Sequence, residues 1–405
     1  MVLKTSAIRR AQSQEELVPL VNFCKAGQLP EVQAWIAAGK PVNPPELENN
    51  RSRKRSPFEY AITNGFHSLV RVLLEGGAST QPEGNFCPMS RALEDRRFDL
   101  VQLLVEYGYD PTTINMREVF ATWDPEIMEY FIDRGADAET GMPLASALCD
   151  KIKTCLRIFK KYKDQFPSFQ EQANVALRHH CVEGSLKWVS LMLWAGADPL
   201  APGEAEPITC PEPEEGGLSA VGFAALYGNY EVLSLRQVKV PIDHPTAYDI
   251  LRYCCDGDGL KIVERLLKQG LNPNDQDNGG ASAIQEVLAK LEWVGGYNIH
   301  SWDIDAKGKD TPESRDNMKA IHLLAKHGGR WCPRDSYQMN SARRSLLKMK
   351  PDYTVELAWI MAKYRACSKS DIKILLRTPT IKRHTAKYKS RLEEIVDKWP
   401  EDGEG

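Results

Sequence analysis

The sequence predicts an all-α fold, a solenoid of repeated helix pairs closed by a C-terminal helical cap. The first observation behind this prediction is a skeleton of apolar residues at places zero, three and four with a glycine at place seven, as in Val70, Leu73, Leu74 and Gly77. These places share one side of a helix, so each copy presents a single apolar seam. The glycine adopts the positive φ that ends a helix at low cost.

The recurrence and the spacing of this skeleton are the other two observations. Seven copies end in glycine and begin at Val32, Val70, Val101, Met128, Val189, Val263 and Ile321, while an eighth, which begins at Cys155, lacks the glycine. The starting positions are 38, 31, 27, 27 and 34 residues apart as far as Val189, and then 74 and 58 apart. Periods of roughly 20 to 50 residues are typical of solenoids. The two long intervals predict one degenerate copy and one insertion.

The composition does not indicate a membrane protein or a protein with general affinity for nucleic acid. Apolar residues make up 42% of the 405 residues, and 52 basic against 55 acidic side chains leave a net charge of −3. Met1 to Arg10 lacks the apolar run of a signal peptide, and no stretch reaches the roughly 20 apolar residues of a membrane span. The ten cysteines lack framework spacing, which favours reduced thiols. We therefore expect a cytoplasmic protein, or a nuclear one in a eukaryote.

The chain opens with a predicted helix at 14–26 and a partner helix that begins after Gly27. Four glycines stand five residues ahead of a seam position and indicate a tight turn between the helices of a pair; they are Gly27, Gly65, Gly184 and Gly228. Between the first two pairs, Lys40 to Ser56 forms a loop that ends in the basic run Arg51-Ser52-Arg53-Lys54-Arg55. Such a run is a localisation signal or a phosphate contact in some proteins and a solvated loop in many others.

The second helix pair resembles a known repeat. Ser56-Pro57-Phe58-Glu59-Tyr60-Ala61, a helix, Gly65, the seam and Gly77-Ala78 are similar in order and spacing to an ankyrin repeat, with Glu59 in place of the motif's histidine. Gly135-Ala136-Asp137 and Gly196-Ala197-Asp198-Pro199 match the ending of that repeat, and Asp followed by Pro starts a turn. The resemblance covers residues 14 to 330 and implies protein recognition on a concave face of loop tips and first helices.

Three segments interrupt or end the repeats. Ala201 to Gly217 combines four prolines with five glutamates and predicts a flexible acidic loop. An insertion at 294–316 separates a first helix from its partner and holds Tyr297 and Trp302. Beyond residue 330 the glycine-ended skeleton disappears, so the expected domains are a repeat array at 1–330 and a helical cap with a basic segment at 331–405.

Few residue patterns suggest chemistry. Asp303, Asp305 and Lys307 have the acid-x-Lys spacing of metal-dependent nucleases, but they lie in an insertion rather than a sheet. His179-His180-Cys181 looks like a metal motif, yet adjacent side chains on a helix point about 100° apart and predict no chelate. We expect neither a resident metal nor a cofactor. Three tryptophans on or beside seams are expected in the core; they are Trp35, Trp188 and Trp359.

The predicted function is that of a non-catalytic scaffold or adaptor that binds another protein of unknown identity. The candidate partner contacts are the loop residues Arg53, Lys54, Arg55, Tyr297 and Trp302. One alternative is a nucleic-acid-associated factor that uses the basic loop and the C-terminal basic segment, whose candidate phosphate contacts are Lys382, Arg383, Lys387, Lys389 and Arg391. The second alternative is a metal-dependent nuclease centred on Asp303, Asp305 and Lys307.

Overall fold

The computed structural model describes residues 9–46, 54–82, 86–206, 217–274, 282–293, 312–332, 339–340, 351–376 and 386–399. These residues form helices and two isolated β-bridges, with no strand among them, as the sequence predicts. The helices are α1 (Val18–Lys25), α2 (Leu29–Ala37), α3 (Pro57–Thr63), α4 (His67–Glu75), α5 (Pro88–Glu94), α6 (Phe98–Glu106), α7 (Met116–Ala121), α8 (Pro125–Ile132), α9 (Pro143–Cys149), α10 (Thr154–Tyr162), α11 (Phe169–Glu183), α12 (Leu186–Ala195), α13 (Ala220–Leu226), α14 (Tyr230–Leu233), α15 (Pro245–Tyr253), α16 (Gly259–Lys268), α17 (Ala283–Trp293), α18 (Pro312–Lys326), α19 (Pro351–Lys363), α20 (Lys369–Leu376) and α21 (Ala386–Asp397).

The described residues form two compact units, which divide within α11. Unit 1 comprises the described residues up to Ala176, and unit 2 those from Leu177 onward. In unit 1 each first helix contacts the next one, in the order α1, α3, α5, α7 and α9, while α2 contacts α4 and α4 contacts α6. In unit 2 the same relation joins α13 to α15 and α15 to α17. Packing of like helices against like is what a repeat solenoid requires, because each pair buries its seam only against its neighbours.

The predicted seams form the core. Places zero and three of every copy are buried, as Val70 and Leu73 show at 0% exposure. The terminal glycines all have positive φ, as the helix-ending role requires; they are Gly39, Gly77, Gly108, Gly135, Gly196, Gly270 and Gly328. The buried side of each helix is wider than the predicted seam, because the residue before place zero is also buried in several copies, including Leu69, Leu100 and Ile127. That extra stripe follows from stacking, in which a helix meets neighbours on more than one side.

The tight turns inside the helix pairs explain two of the predicted glycines. A Cβ at Gly65 would lie 2.6 Å from Nη1 of Arg97, and one at Gly184 would lie 2.6 Å from Oδ1 of Asn229. Arg97 and Asn229 each belong to the following turn of the array and lie directly over the glycine. The corresponding turns of three other pairs use a non-glycine residue at positive φ, namely Arg96, Trp123 and Lys151. Close approach by the next repeat therefore selects glycine at 65 and 184, in addition to the backbone conformation.

Side chains also start the helices and turns. Ser56 accepts a hydrogen bond from the backbone N–H of Glu59 at 3.0 Å, so it is the N-cap that the ankyrin-like motif predicts. Ser219 caps α13 in the same way through Gly222 N–H, although its segment was not recognised as a repeat opening. An Asp or Asn residue precedes a proline at three turns and accepts a hydrogen bond from the backbone N–H two residues on. These residues are Asp110, Asp198 and Asn272.

The C-terminal helices have a core of their own in unit 2. Leu357, Ala358 and Met361 of α19 are fully buried, and α19 contacts both α18 and α21. This arrangement agrees with the predicted helical cap. The expectation that Trp359 is core is wrong, because the ring is 46% exposed with Lys363 Nζ 4.5 Å from its centroid. The buried residues of α19 lie on the other side of the helix.

The helix α18 begins at Pro312, which lies inside the range 294–316 predicted as an insertion.

No helix in the described part of the chain has the length and apolar character needed to cross a membrane.

Candidate partner-binding surface

The predicted basic loop lies directly before the first helix of the second pair. Arg53 is outside the described residues, but Lys54 and Arg55 precede the cap residue Ser56 and the start of α3. Their side chains are 66% and 60% exposed. Both side chains are therefore accessible from solvent.

Each of these two cations has an acidic neighbour. Lys54 Nζ lies 3.8 Å from Glu15 Oε1, and Arg55 Nε lies 3.5 Å from Glu59 Oε1, one helical turn on. Hydrogen bonds from its own backbone and from Ser13 lower the pKa of the Glu15 carboxyl, with a smaller contribution from Lys54. Glu15 is therefore ionised at neutral pH. The Glu59 side chain is only 12% exposed, whereas both members of the Lys54–Glu15 pair are exposed. Because exposed ion pairs are weak, another anion can replace Glu15 beside Lys54 at little cost.

The ring of Tyr60 in α3 contacts a further cation close to this loop. Lys25 Nζ, at the end of α1, lies 4.7 Å from the centroid of the Tyr60 ring, and Arg55 Cζ lies 5.9 Å from it. Both distances are within the range of cation–π attraction. We call Lys25, Lys54, Arg55 and Tyr60 the basic patch. It brings together residues from two first helices and one loop, and only two of its four members were predicted as contacts.

The rest of the Lys40–Ser56 loop has a structural role where it is described. Val42 and Asn43 are buried, at 2% and 3% exposure. The amide of Asn43 donates to Arg9 O at 3.1 Å and to Gly77 O at 2.8 Å, and its Oδ1 accepts from Ser79 N–H at 2.9 Å. This side chain joins the first repeat to the end of the second.

Asn274 makes the equivalent contact in unit 2. Its Nδ2 donates to Gly328 O at 2.8 Å, and its Oδ1 accepts from Arg330 N–H at 2.6 Å. Asn43 and Asn274 each stand four residues after a terminal glycine, Gly39 and Gly270. Neither asparagine was predicted to join repeats, although its fixed offset from a terminal glycine in two copies is a signal visible in the sequence.

Two further side chains connect neighbouring repeats. Gln172 of α11 is fully buried, and its Oε1 accepts from Leu144 N–H at 2.8 Å and Ala145 N–H at 3.2 Å, at the start of α9. In unit 2, Thr246 Oγ1 donates to the cap residue Ser219 Oγ at 2.8 Å. Neighbouring repeats are therefore joined by hydrogen bonds to helix N-termini.

The acidic segment is anchored where it begins. Arg178 of α11 is fully buried, and its guanidinium donates to Glu204 O at 2.6 Å, Ala201 O at 3.1 Å and Pro202 O at 3.3 Å. A short bridge between Pro202 and Ser219 brings together the two ends of the segment. Residues 207–216 lie outside the described part. The described residues at 201–206 are therefore ordered against α11, which the prediction of a flexible loop from Ala201 did not anticipate.

The remaining predicted residues lie largely outside the described ranges. Tyr297, Trp302 and the acid-x-Lys set of Asp303, Asp305 and Lys307 fall there, as do Lys382 and Arg383. Lys387 and Lys389 belong to α21, but their side chains are not described. Arg391 of α21 is exposed, and the same helix carries Glu394, which pairs with Lys398 at 2.7 Å. Of the predicted phosphate contacts, Arg391 alone has a described side chain.

Comparison with known proteins supports the repeat type. No protein-family model matches the chain. An ankyrin repeat and KH domain-containing protein of Caenorhabditis briggsae is 28% identical over 213 residues, which are 48% of this chain and 8% of that protein. With this match, the Ser56 cap and the stacked helix pairs, the repeat is identified. The chain contains ankyrin repeats.

Other known proteins give shorter or weaker likenesses. The human 2-5A-dependent ribonuclease is 36% identical over 78 residues, 17% of this chain and 10% of the ribonuclease. The chain thus spans about a tenth of the length of the curated relatives that it matches. Among solved structures, the human ASB11 ankyrin repeat domain has a TM-score of 0.39 at 18% identity, covering 55% of this chain and 99% of that one. The ankyrin repeat domain of Bcl-3 has a TM-score of 0.29 at 17% identity, covering 66% and 92%.

Proposed function

We propose that this ankyrin-repeat protein is a non-catalytic scaffold or adaptor that binds another protein through the loops and first helices of its concave face. The observation that carries the proposal is the basic patch, whose Lys54 and Arg55 are mostly exposed on a frame of buried helices. The partner segment that fits this patch is acidic. A carboxylate of the partner would replace Glu15 beside Lys54, while Tyr60 offers its ring face to Lys25 and Arg55.

The repeat frame supports binding by holding the patch in place before the partner arrives. The α3 helix is capped by Ser56 and its buried side, with Phe58, Ala61 and Ile62, packs between α1 and α5. The hydrogen bonds of Asn43 fix the described start of the loop that precedes α3. Because few side chains and no backbone segment of the patch must be ordered on association, more of the contact energy is retained as affinity.

The test uses charge reversal in the full chain. Lys54→Glu with Arg55→Glu removes two cations of the patch, and Lys153→Glu with Arg157→Glu makes the same change in net charge at exposed positions on and beside α10, a second helix. Crosslinked capture from native lysate should lose the partner at least tenfold with the first pair and retain it with the second. Circular dichroism melts of both variants check that the fold persists.

Direct binding measurements distinguish a protein partner from a nucleic-acid partner. Fluorescence anisotropy with a poly-glutamate peptide, single-stranded DNA and double-stranded RNA is measured from about 50 to 200 mM salt, where phosphate contacts lose affinity steeply. The scaffold predicts binding to the acidic peptide that the Lys54/Arg55 variant weakens. Equal capture by both variants would refute the proposed surface, and tight, salt-steep binding of nucleic acid alone would favour the nucleic-acid alternative.

A further inference from the structure

We propose that His179, His180 and Glu183 form a binding site for a divalent transition-metal ion such as Zn²⁺, with Glu206 holding His179 in the ligating tautomer. The three ligand residues lie at the end of α11, in unit 2, next to the anchored start of the acidic segment. The adjacent histidines alone predict no chelate. In the structure a third side chain, that of Glu183, lies close to both of them.

Glu183 connects the two histidines because it lies one turn beyond each of them. Its Oε1 is 3.7 Å from His179 Nε2, and its Oε2 is 3.2 Å from His180 Nδ1. One ligand atom from each of the three residues can be chosen so that all lie within 4.8 Å of one another. Around a tetrahedral Zn²⁺ with bonds of 2.0–2.1 Å, neighbouring ligand atoms are about 3.3 Å apart. The observed spacings bracket this value, so a small rotation of the side chains would close the site.

Glu206 provides the second observation. Its Oε1 lies 3.2 Å from His179 Nδ1. An ionised carboxylate only accepts hydrogen bonds, so His179 Nδ1 donates to Glu206, and Nε2, 3.7 Å from Glu183 Oε1, is the nitrogen positioned to bind a metal. A carboxylate that fixes the far nitrogen is the usual companion of a metal-bound histidine.

Packing fixes the second histidine. His180 is fully buried, and its ring lies 5.3 Å from the Trp188 ring and 5.4 Å from that of His179. The adjacent Cys181 is 1% exposed, and its sulfur is not part of the group whose ligand atoms converge. Two imidazoles with one carboxylate suit Zn²⁺, Cu²⁺ or Ni²⁺ rather than Mg²⁺ or Ca²⁺, which take oxygen ligands.

The site would tie the start of the acidic segment more firmly to α11. Arg178 already holds residues 201, 202 and 204 through their carbonyl oxygens, and Glu206 follows them. A metal on His179 would strengthen the hydrogen bond from its Nδ1 to Glu206. Ligand binding to the folded state alone raises stability by mass action, so the bound metal should also raise the melting temperature.

The experiment is a metal titration of the full chain after removal of bound metal with a chelator. Isothermal titration with ZnCl₂ should show one saturable site, and Co²⁺ should give the absorption of a tetrahedral nitrogen and oxygen site without a thiolate band. Glu183→Gln, at a residue with a 37% exposed side chain, should weaken Zn²⁺ binding at least tenfold. Glu206→Gln should weaken it about 10- to 100-fold, as outer carboxylates typically do. His67→Ala, on α4, is the matched control and should bind as the unaltered chain does.

Three outcomes would overturn the proposal. One is absence of saturable binding by the unaltered chain. Another is equal affinity in the Glu183→Gln variant, provided circular dichroism shows it folded. The third is a cobalt–thiolate band, which would place the metal on cysteines. NMR of the His179 ring in the metal-free chain adds an independent readout, since a ring proton on both nitrogens at neutral pH that Zn²⁺ does not displace also contradicts the site.

Discussion

Replacing Asn43 with alanine should destabilise unit 1 at one identifiable place. The change removes two hydrogen bonds that Nδ2 donates, to Arg9 O and Gly77 O, and one that Oδ1 accepts, from Ser79 N–H. The side chain is 3% exposed, so water reaches the abandoned groups poorly. At roughly 1 kcal/mol for each bond, with an added penalty for buried groups left unpaired, the free energy of unfolding should fall by about 2 to 4 kcal/mol.

Two measurements check this value. Urea denaturation gives the loss of stability, and hydrogen exchange gives its location, because the Ser79 amide loses its acceptor and should exchange at least tenfold faster. Asn64→Ala, at the exposed end of α3, is the control and should change neither quantity appreciably. A loss of unfolding free energy below about 0.5 kcal/mol, together with an unchanged exchange rate of the Ser79 amide, would contradict the proposed role of Asn43. Asn274→Ala repeats the test in unit 2, where the Arg330 amide should respond.

Two further predictions follow from the turns and the cysteines. Gly184→Ala should lower the melting temperature more than Gly77→Ala. Both glycines have positive φ, which costs about 1 to 2 kcal/mol for alanine, but a Cβ at 184 also meets Asn229 at 2.6 Å while a Cβ at 77 meets nothing within 4 Å. Equal losses of stability in the two variants would refute the close approach. Burial raises the pKa values of the Cys24 and Cys181 thiols from 9.0 to about 12. The folded thiols thus hold their protons when those of the unfolded chain ionise, so stability should be complete below pH 9 and fall between pH 9 and about 12. A thiol reagent at pH 8 should modify exposed Cys332 in the native chain and spare Cys24 and Cys181 until denaturant is added; rapid native labelling of Cys24 would contradict this burial.

Most of the fold could be predicted because it depends on local patterns. Val70, Leu73 and Leu74 fall on one side of a helix from their spacing alone, and Gly77 ends that helix from its backbone freedom. Trp359 was misplaced because the skeleton that defines the seam is absent from α19, so no glycine fixed its register. The second buried stripe, with Leu69 and Leu100, was missed since it depends on how repeats stack.

The candidate sites were less predictable. Lys54 and Arg55 were found because a run of basic residues in a loop is visible in sequence. Lys25 and Tyr60 were not, because their meeting requires α1 to pack against α3. His179 and Glu206 are separated by 27 positions, and only the anchoring of residues 201–206 by Arg178 brings them together.

The sequence by itself therefore determined the all-α class, the ankyrin type of repeat, the seams and the places where helices end. These properties follow from helical periodicity and from glycine and proline conformations, which act within a few residues. Tertiary structure decided which side chains join the repeats and which polar groups converge: Asn43 on Ser79, Gln172 on α9, Glu183 and Glu206 around the two histidines. Those contacts depend on distances between repeats, which are set by the shapes of the buried seams, and no local pattern encodes them.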